Sequence, residues 1–83
     1  MARIIDTTYK NLIGHNVRRF RIQQHMSQQT LSAKLELMAI YICRGSISRI
    51  EDRTRTVTDI ELYGLAQVFN VPLDALFHPE EET

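Results

Sequence analysis

Apolar residues recur at helical spacing along most of this chain, and that spacing limits the fold to a set of short packed helices. Three segments share it: Ile13, Val17 and Phe20; Leu31, Leu35 and Met38; and Leu62, Leu65, Ala66 and Phe69. Each set forms one stripe of an amphipathic helix, which must be buried against another element. A chain of 83 residues can bury one modest core. We therefore expect a compact all-α domain over residues 1–79, followed by a frayed acidic tail at 80–83.

Capping residues and a proline predict where the helices begin and bring their number to five. We expect the first helix to begin near Thr7 or Thr8, and Ser27 can cap the second. The segment from Thr58 to Glu61 has the capping-box pattern of a fourth helix. Pro72 is placed for the first position of a fifth helix. That helix has three apolar residues that we expect to face inward, namely Leu73, Leu76 and Phe77.

The segment between the second helix and the next apolar pair departs from helical periodicity. The run from Ala39 to Cys43 is apolar and β-branched, which alone could indicate a strand. One strand without a partner is unexpected in a helical chain, so we expect an ordered connection packed on the core. Ile47 and Ile50 then mark a third helix, from about Arg44 to Asp52. Cys43 is the only cysteine, so it can form no internal disulfide, and we expect a small buried hydrophobe rather than a redox sensor.

The charges are unevenly distributed, although the formal net charge is zero. All ten Lys and Arg lie between Arg3 and Arg55, against four acids there, which gives 10 − 4 = +6. From Thr56 onward there are six acids and no Lys or Arg, which gives −6. Such asymmetry suggests one face for a polyanion. The alternative is that the two halves neutralise each other in the fold, and charge alone does not decide between them.

The sequence contains no motif of a catalytic, metal or cofactor site. There is no phosphate-cradling glycine loop and no nucleophile–base motif, and the three histidines lack metal-ligand spacing. We therefore expect a protein that is not an enzyme and has no cofactor or metal, and no small-molecule ligand is indicated. No run approaches the roughly 18 apolar residues of a membrane span, and residues 1–6 lack the apolar core of a signal peptide. A cytoplasmic location is therefore expected.

The third helix would present small and hydrogen-bonding groups on the face opposite Ile47 and Ile50. At 100° per residue that face carries Gly45, Ser48, Arg49 and Asp52, with Arg44 and Ser46 on its flanks. Glycine and serine allow close approach to a B-DNA major groove, and arginine can bind guanine O6 and N7 together. A solvated polar face is the alternative, and the residues of this helix alone leave both open.

Two further pairs of polar residues suggest how this helix is held and what lies beside it. Glu51 falls next to the buried direction, where a carboxylate needs a partner, and Arg21 lies one residue beyond the stripe of the first helix. We predict an Arg21–Glu51 ion pair, with an unpaired surface glutamate as the alternative. Ser27 and Gln28 begin the second helix, whose free amides suit a phosphate. Simple capping by Ser27 would explain them equally well.

Taken in order, these segments resemble the phage-repressor and Cro-like helix-turn-helix domains, the XRE family. The similarity rests on five segments: Ile13-Gly14, Val17-Arg18-Arg19-Phe20-Arg21, Ser27-Gln28 with Leu31, Ile47-Ser48-Arg49-Ile50-Glu51, and Leu65-Ala66 with Phe69-Asn70-Val71-Pro72-Leu73 and Leu76-Phe77. The connection between the second and third helices is longer than usual in the family. A subgroup with a similar connection has a segment like Val57-Thr58-Asp59 before its fourth helix. The resemblance implies a lambda-repressor-like domain whose helix-turn-helix is formed by helices 2 and 3.

The resemblance also implies a role for each matching polar position. Base contacts would come from Arg44, Gly45, Ser46, Ser48 and Arg49, and phosphate contacts from Gln28, Arg53 and Arg55. Arg21 and Glu51 would form the structural ion pair that the family commonly has. Because the connection is long, the resemblance does not fix the residue at which the third helix begins, and so leaves open how Arg44, Gly45 and Ser46 align with the family pattern.

The function predicted from these features is sequence-specific binding of double-stranded DNA by a transcriptional regulator. The leading interpretation is a repressor that inserts helix 3, about residues 44–52, into the major groove and blocks polymerase. A homodimer is expected from the family, with Tyr63 and the final helix as candidate partner surfaces. The alternative is a protein–protein interaction module or an antitoxin built on the same fold.

Overall fold

Four α-helices and a short 3₁₀ turn make up the computed structural model, which describes residues 7–78. The α-helices are α1 (Gly14–Gln23), α2 (Gln28–Glu36), α3 (Arg44–Glu51) and α4 (Asp59–Phe69), and the 3₁₀ turn is Leu73–Leu76. The described residues contain no strand, which confirms the all-α prediction. In place of the expected fifth α-helix the structure has only the 3₁₀ turn, so the described residues form four α-helices rather than five. The predicted acidic tail lies outside the described residues.

The core is formed by the predicted apolar stripes, which meet between the helices. Its largest fully buried side chains are Val17, Leu31, Leu35, Ile47, Ile50, Leu65, Phe69 and Leu76. The rings of Phe20 and Phe69 lie with their centroids 5.7 Å apart and join α1 to α4. Met38 was expected on the buried stripe of α2, but α2 ends at Glu36 and Met38 is 37% exposed. Helical spacing therefore predicts which residues are buried only as far as the helix extends.

The first helix begins later than the sequence predicted, because Asn11 diverts the chain before it. The Asn11 Oδ1 accepts hydrogen bonds from the backbone N–H groups of Ile13 (3.1 Å) and Gly14 (2.8 Å). Its Nδ2 donates to the backbone carbonyls of Ile50 (3.1 Å) and Arg55 (2.8 Å). This side chain thus caps the first turn of α1 and fastens it to the end of α3. These contacts between distant segments place the start of α1 at Gly14 rather than near Thr7 or Thr8.

The long connection between α2 and α3 is ordered and packed on the core, as predicted. Ile40 and Ile42 are buried, whereas Tyr41 between them is 77% exposed. The Ser32 hydroxyl donates to the Ile42 carbonyl at 2.6 Å, which ties the connection to α2. The prediction of a buried Cys43 was wrong. Cys43 is exposed because it is the N-cap residue of α3 and projects beyond the core.

The capping box of α4 is confirmed. The Thr58 Oγ1 accepts from the Glu61 backbone N–H at 3.1 Å, and the Glu61 Oε1 accepts from the Thr58 N–H at 3.0 Å. Beyond α4, Leu76 is buried as expected, but Leu73 and Phe77 are each 47% exposed. A single 3₁₀ turn is too short to present a continuous inward stripe. None of the helices formed by residues 7–78 is long and apolar enough to cross a membrane.

Candidate nucleic-acid interface

The exposed face of α3 carries most of the predicted base-contacting residues. The helix begins at Arg44, as the sequence predicted, after Cys43 in extended backbone conformation. Arg44, Gly45 and Arg49 are exposed, and Ser46 and Ser48 are half-buried. Ile47 and Ile50 are fully buried on the opposite side. The structure therefore separates a polar outer face from an anchored inner face over two turns of helix.

Gly45 is the most informative position on this face, because the fold does not require a glycine there. A Cβ atom built at Gly45 meets only the Arg49 Nη1, at 3.7 Å, which is ordinary contact. Glycine inside a helix costs about 1 kcal/mol relative to alanine. By contrast, a Cβ at Gly14 would collide with the backbone carbonyl of Ile50, so the fold itself accounts for that glycine. The absence of a side chain at Gly45 is therefore unexplained by packing within the chain.

The first turn of α3 is electropositive. The Arg49 Nη2 donates to the Ser46 Oγ at 3.0 Å, and the Cys43 Sγ lies 3.4 Å from the same hydroxyl. The pKa of the Cys43 thiol is lowered, first by the hydrogen bond with the Ser46 hydroxyl and also by backbone N–H groups and Arg49. A thiolate is favoured at such a helix N-terminus for the same reason that a phosphate is. This end of α3 thus favours negative charge.

Arg21 and Glu51 are brought together at the other end of α3. The Arg21 Nε and Nη2 donate to the two carboxylate oxygens of Glu51 at 2.6 and 3.0 Å, and the two side chains are 12% and 2% exposed. The Arg21 Nη1 also donates to the Met26 carbonyl at 2.9 Å. Hydrogen bonding to Glu51 raises the pKa of Arg21. Because both partners are held in this way, α3 has a fixed orientation against α1.

Gln28 joins the same network from the start of α2. Its Nε2 donates to the Glu51 Oε1 at 3.2 Å, which places the beginning of α2 beside the end of α3. Ser27 caps the helix by accepting from the Thr30 N–H at 3.0 Å. The backbone N–H groups of Gln28 and Gln29, in the same turn, have no acceptor within the helix, so they can still face an anion. Gln28 is therefore positioned for a backbone contact, whereas its side chain already has a partner.

The two arginines that follow α3 have different surroundings. Arg55 makes two hydrogen bonds of 2.9 Å to the carboxylate of Glu61 and one of 3.0 Å to the Thr56 carbonyl. This pair, which raises the pKa of Arg55, ties the turn after α3 to α4. Sequence reasoning missed it, although a signal was present. The capping box turns Glu61 back toward the preceding segment, where Arg55 lies.

Arg53 has no carboxylate partner among residues 7–78. Its guanidinium carbon lies 3.7 Å from the centroid of the Tyr9 ring, and its backbone adopts the left-handed conformation with φ of 62°. Within the part of the chain that is described, no ion pair engages Arg44, Arg49 or Arg53. These three cations therefore remain for an external anion. Tyr9 had no signal in the sequence pattern, since it lies outside every apolar stripe.

Over residues 7–78, no three His, Cys, Asp or Glu side chains are grouped closely enough to hold a metal ion. What the interface offers is a helix face of small groups and arginines, a helix N-terminus beside it and further cations at its end. Those are the parts from which proteins build contacts to bases and to phosphates.

Comparison with known proteins agrees with this geometry. The Helix-turn-helix family model HTH_3 matches residues 17–76. The crystal structure of the DNA-binding domain of BldD is similar, with a TM-score of 0.67 and 25% sequence identity over 87% of this chain and 97% of that one. A comparison with curated protein sequences finds no significant match. Since the family model covers most of the chain, including α2, α3 and the connection between them, this protein belongs to the XRE-family helix-turn-helix DNA-binding regulators.

Proposed function

We propose that this protein is a sequence-specific transcriptional repressor that inserts α3 into the major groove of double-stranded DNA. Base contacts would come from the exposed side chains of Arg44 and Arg49, with the half-buried hydroxyls of Ser46 and Ser48 beside them. Each arginine that pairs with a guanine would contribute discrimination, whereas phosphate contacts would supply affinity. Repression would be steric, because a bound domain at an operator blocks polymerase.

The observation that carries this proposal is the open surface at Gly45. The fold accommodates a side chain there, yet the chain has a glycine in the first turn of an exposed helix face, at a cost in helix stability. A base edge or phosphate that approaches the helix backbone closely would explain it. Gly45→Ala should therefore leave the fold intact or stabilise it, while it weakens binding to DNA.

Phosphate contacts are proposed for the residues at the edges of this face. The backbone N–H of Gln28 would meet one phosphate at the start of α2, and Arg53 would meet another after α3. For Arg55 the same role requires that its two hydrogen bonds to Glu61 open, since both are formed within the chain. We therefore rank Arg55 below Arg53 as a phosphate contact.

A salt titration against a short random-sequence duplex tests the DNA-binding part of the proposal. The apparent affinity should fall linearly on a log–log plot against salt concentration, because phosphate contacts release counterions. Arg49→Ala and Arg18→Ala each remove one positive charge, but Arg18 lies exposed on α1 rather than on α3. Weaker binding of Arg49→Ala than of Arg18→Ala would support insertion of α3. Binding without a salt slope, or equal losses for the two variants, would contradict it.

An interaction module or antitoxin on the same fold is the second candidate, and the connection between α2 and α3 favours it. Leu37 is 89% exposed and Tyr41 is 77% exposed, so this connection presents apolar surface to solvent. Such surface suits a protein partner. Leu37→Ser with Tyr41→Ser should leave DNA affinity unchanged if the connection serves another protein. A loss of DNA affinity in that variant would instead place the connection at the DNA.

Binding as a homodimer on a palindromic operator is part of the proposal. Tyr63 is 53% exposed on α4, and Leu73 and Phe77 are exposed at the 3₁₀ turn, which supports these regions as candidate partner surfaces. Analytical ultracentrifugation with and without duplex would test it. Two chains per duplex, reduced to one by Tyr63→Asp or Phe77→Asp, would support the dimer. One chain per duplex at saturation would exclude it.

A further inference from the structure

The segment before α1 is fastened to the end of α3, outside the region that the family model matches. That match begins at residue 17, whereas the contacts involve Tyr9, Lys10 and Asn11. The Lys10 backbone N–H donates to the Arg53 carbonyl at 2.9 Å. Asn11 donates to the carbonyls of Ile50 and Arg55 on either side of it, at 3.1 and 2.8 Å. Residues 9–11 therefore lie along the turn that follows α3.

These contacts place the Tyr9 ring against the Arg53 guanidinium. The 3.7 Å distance from guanidinium carbon to ring centroid is that of a stacked pair. The Arg53 Nε is buried and has no hydrogen-bond partner among the described residues, whereas the Tyr9 ring covers the guanidinium. Stacking engages the face of a guanidinium and leaves the N–H groups of its two Nη atoms able to bind an oxyanion. Arg21 and Arg55, in contrast, already have carboxylates.

The position of this pair is suited to the DNA backbone. Arg53 follows Glu51 by two residues, and Glu51 accepts a hydrogen bond from Gln28 at the start of α2. A DNA strand with one phosphate at the N-terminus of α2 would therefore pass close to the turn that carries Arg53. Lys10 adds a second positive charge there, because its side chain is exposed and its backbone N–H is hydrogen-bonded to the Arg53 carbonyl.

We propose that Tyr9 is a positioning residue that holds the Arg53 guanidinium ready for a DNA phosphate, so that the DNA-binding surface extends to the segment before α1. This inference rests on the proposed DNA-binding function. Its physical basis is entropic. An arginine already held by stacking loses less side-chain freedom on binding, and immobilising a long side chain otherwise lowers affinity about two- to tenfold.

A double-mutant cycle on DNA affinity tests the role of Tyr9. The variants are Tyr9→Ala, Arg53→Ala and the double substitution, measured by fluorescence anisotropy with a short random-sequence duplex over a NaCl series. Arg53→Ala should reduce the log–log salt slope by about one. Tyr9→Ala should weaken binding about two- to tenfold when Arg53 is present, and should have no further effect when Arg53 is absent. Equal effects of Tyr9→Ala in both backgrounds, or none in either, would overturn the inference.

Two conservative variants separate stacking from packing. Tyr9→Phe keeps the ring and should bind DNA as the unmodified chain does, whereas Tyr9→Leu keeps apolar bulk and should behave as Tyr9→Ala. Normal affinity of Tyr9→Leu would show that packing alone suffices, against the inference. If the unmodified chain binds duplex with a salt slope but the cycle is additive, only the role of Tyr9 is lost. If the unmodified chain shows no salt-dependent binding, the proposed function itself fails.

Discussion

Arg21→Met should destabilise this protein strongly, because it leaves the Glu51 carboxylate buried without its cation. The Glu51 side chain is 2% exposed, and both of its oxygens are bound by Arg21. Removing one partner of a buried pair typically costs about 3–5 kcal/mol. The Gln28 amide, at 3.2 Å, still donates to Glu51, so the lower end of that range, about 3 kcal/mol, is expected.

Urea denaturation followed by circular dichroism gives the free energy of unfolding directly. In a thermal scan the same loss should lower Tm by about 12 °C or more for a domain of this size. The control is the double variant Arg21→Met with Glu51→Met, which removes both charges and fills the space with apolar groups. It should recover most of the lost stability. A loss below about 1 kcal/mol for Arg21→Met, typical of an exposed pair, or no recovery in the double variant, would refute the reasoning.

Three further predictions concern charge, reactivity and helix composition. The pKa of Glu61 is lowered, chiefly by its hydrogen bond to Arg55, so this carboxylate stabilises the fold above its unfolded-state pKa and loses that effect as the pH falls through the folded one. Unfolding curves of the unmodified chain and Glu61→Gln should therefore converge in acid, and a constant gap would contradict this. Iodoacetamide should alkylate Cys43 at a lower pH than an ordinary thiol, because the pKa of the Cys43 thiol is lowered. Duplex DNA should slow this alkylation, and an unchanged rate would mean that DNA does not bind at the start of α3. Gly45→Ala should raise the free energy of unfolding by up to about 1 kcal/mol, whereas the matched variant Gly14→Ala should lower it by about 1–3 kcal/mol. Calorimetry that shows equal effects of the two variants would contradict this difference.

Much of the fold could be predicted because it depends on residues that are close in sequence. The apolar pair of α3, Ile47 and Ile50, and the capping box before α4 act within one or two turns of helix, and both elements lie where they were expected. The connection between α2 and α3 could be predicted as ordered because Ile40 and Ile42 are apolar. The sequence pattern also pointed to Arg21 and Glu51 as partners, through their places beside two buried stripes.

The remaining features depend on contacts between segments that are far apart. Nothing near Asn11 indicates that its amide would reach Ile50 and Arg55, so the start of α1 was predicted several residues too early. The exposure of Cys43 follows from its place at a helix N-cap, which its apolar neighbours disguised. The stack of Tyr9 on Arg53 likewise needs the folded backbone, because the two residues are adjacent only in space.

The central claim, that α3 reads base sequence, is tested most directly by in vitro selection of bound duplexes with the unmodified chain and Arg49→Ala. The unmodified chain should enrich a defined motif. Arg49→Ala should relax the preference at one base pair of that motif and cost about 1–3 kcal/mol on it, while Arg18→Ala should leave the motif unchanged. No enriched sequence, or an equal loss of affinity by Arg49→Ala on every duplex, would contradict the claim.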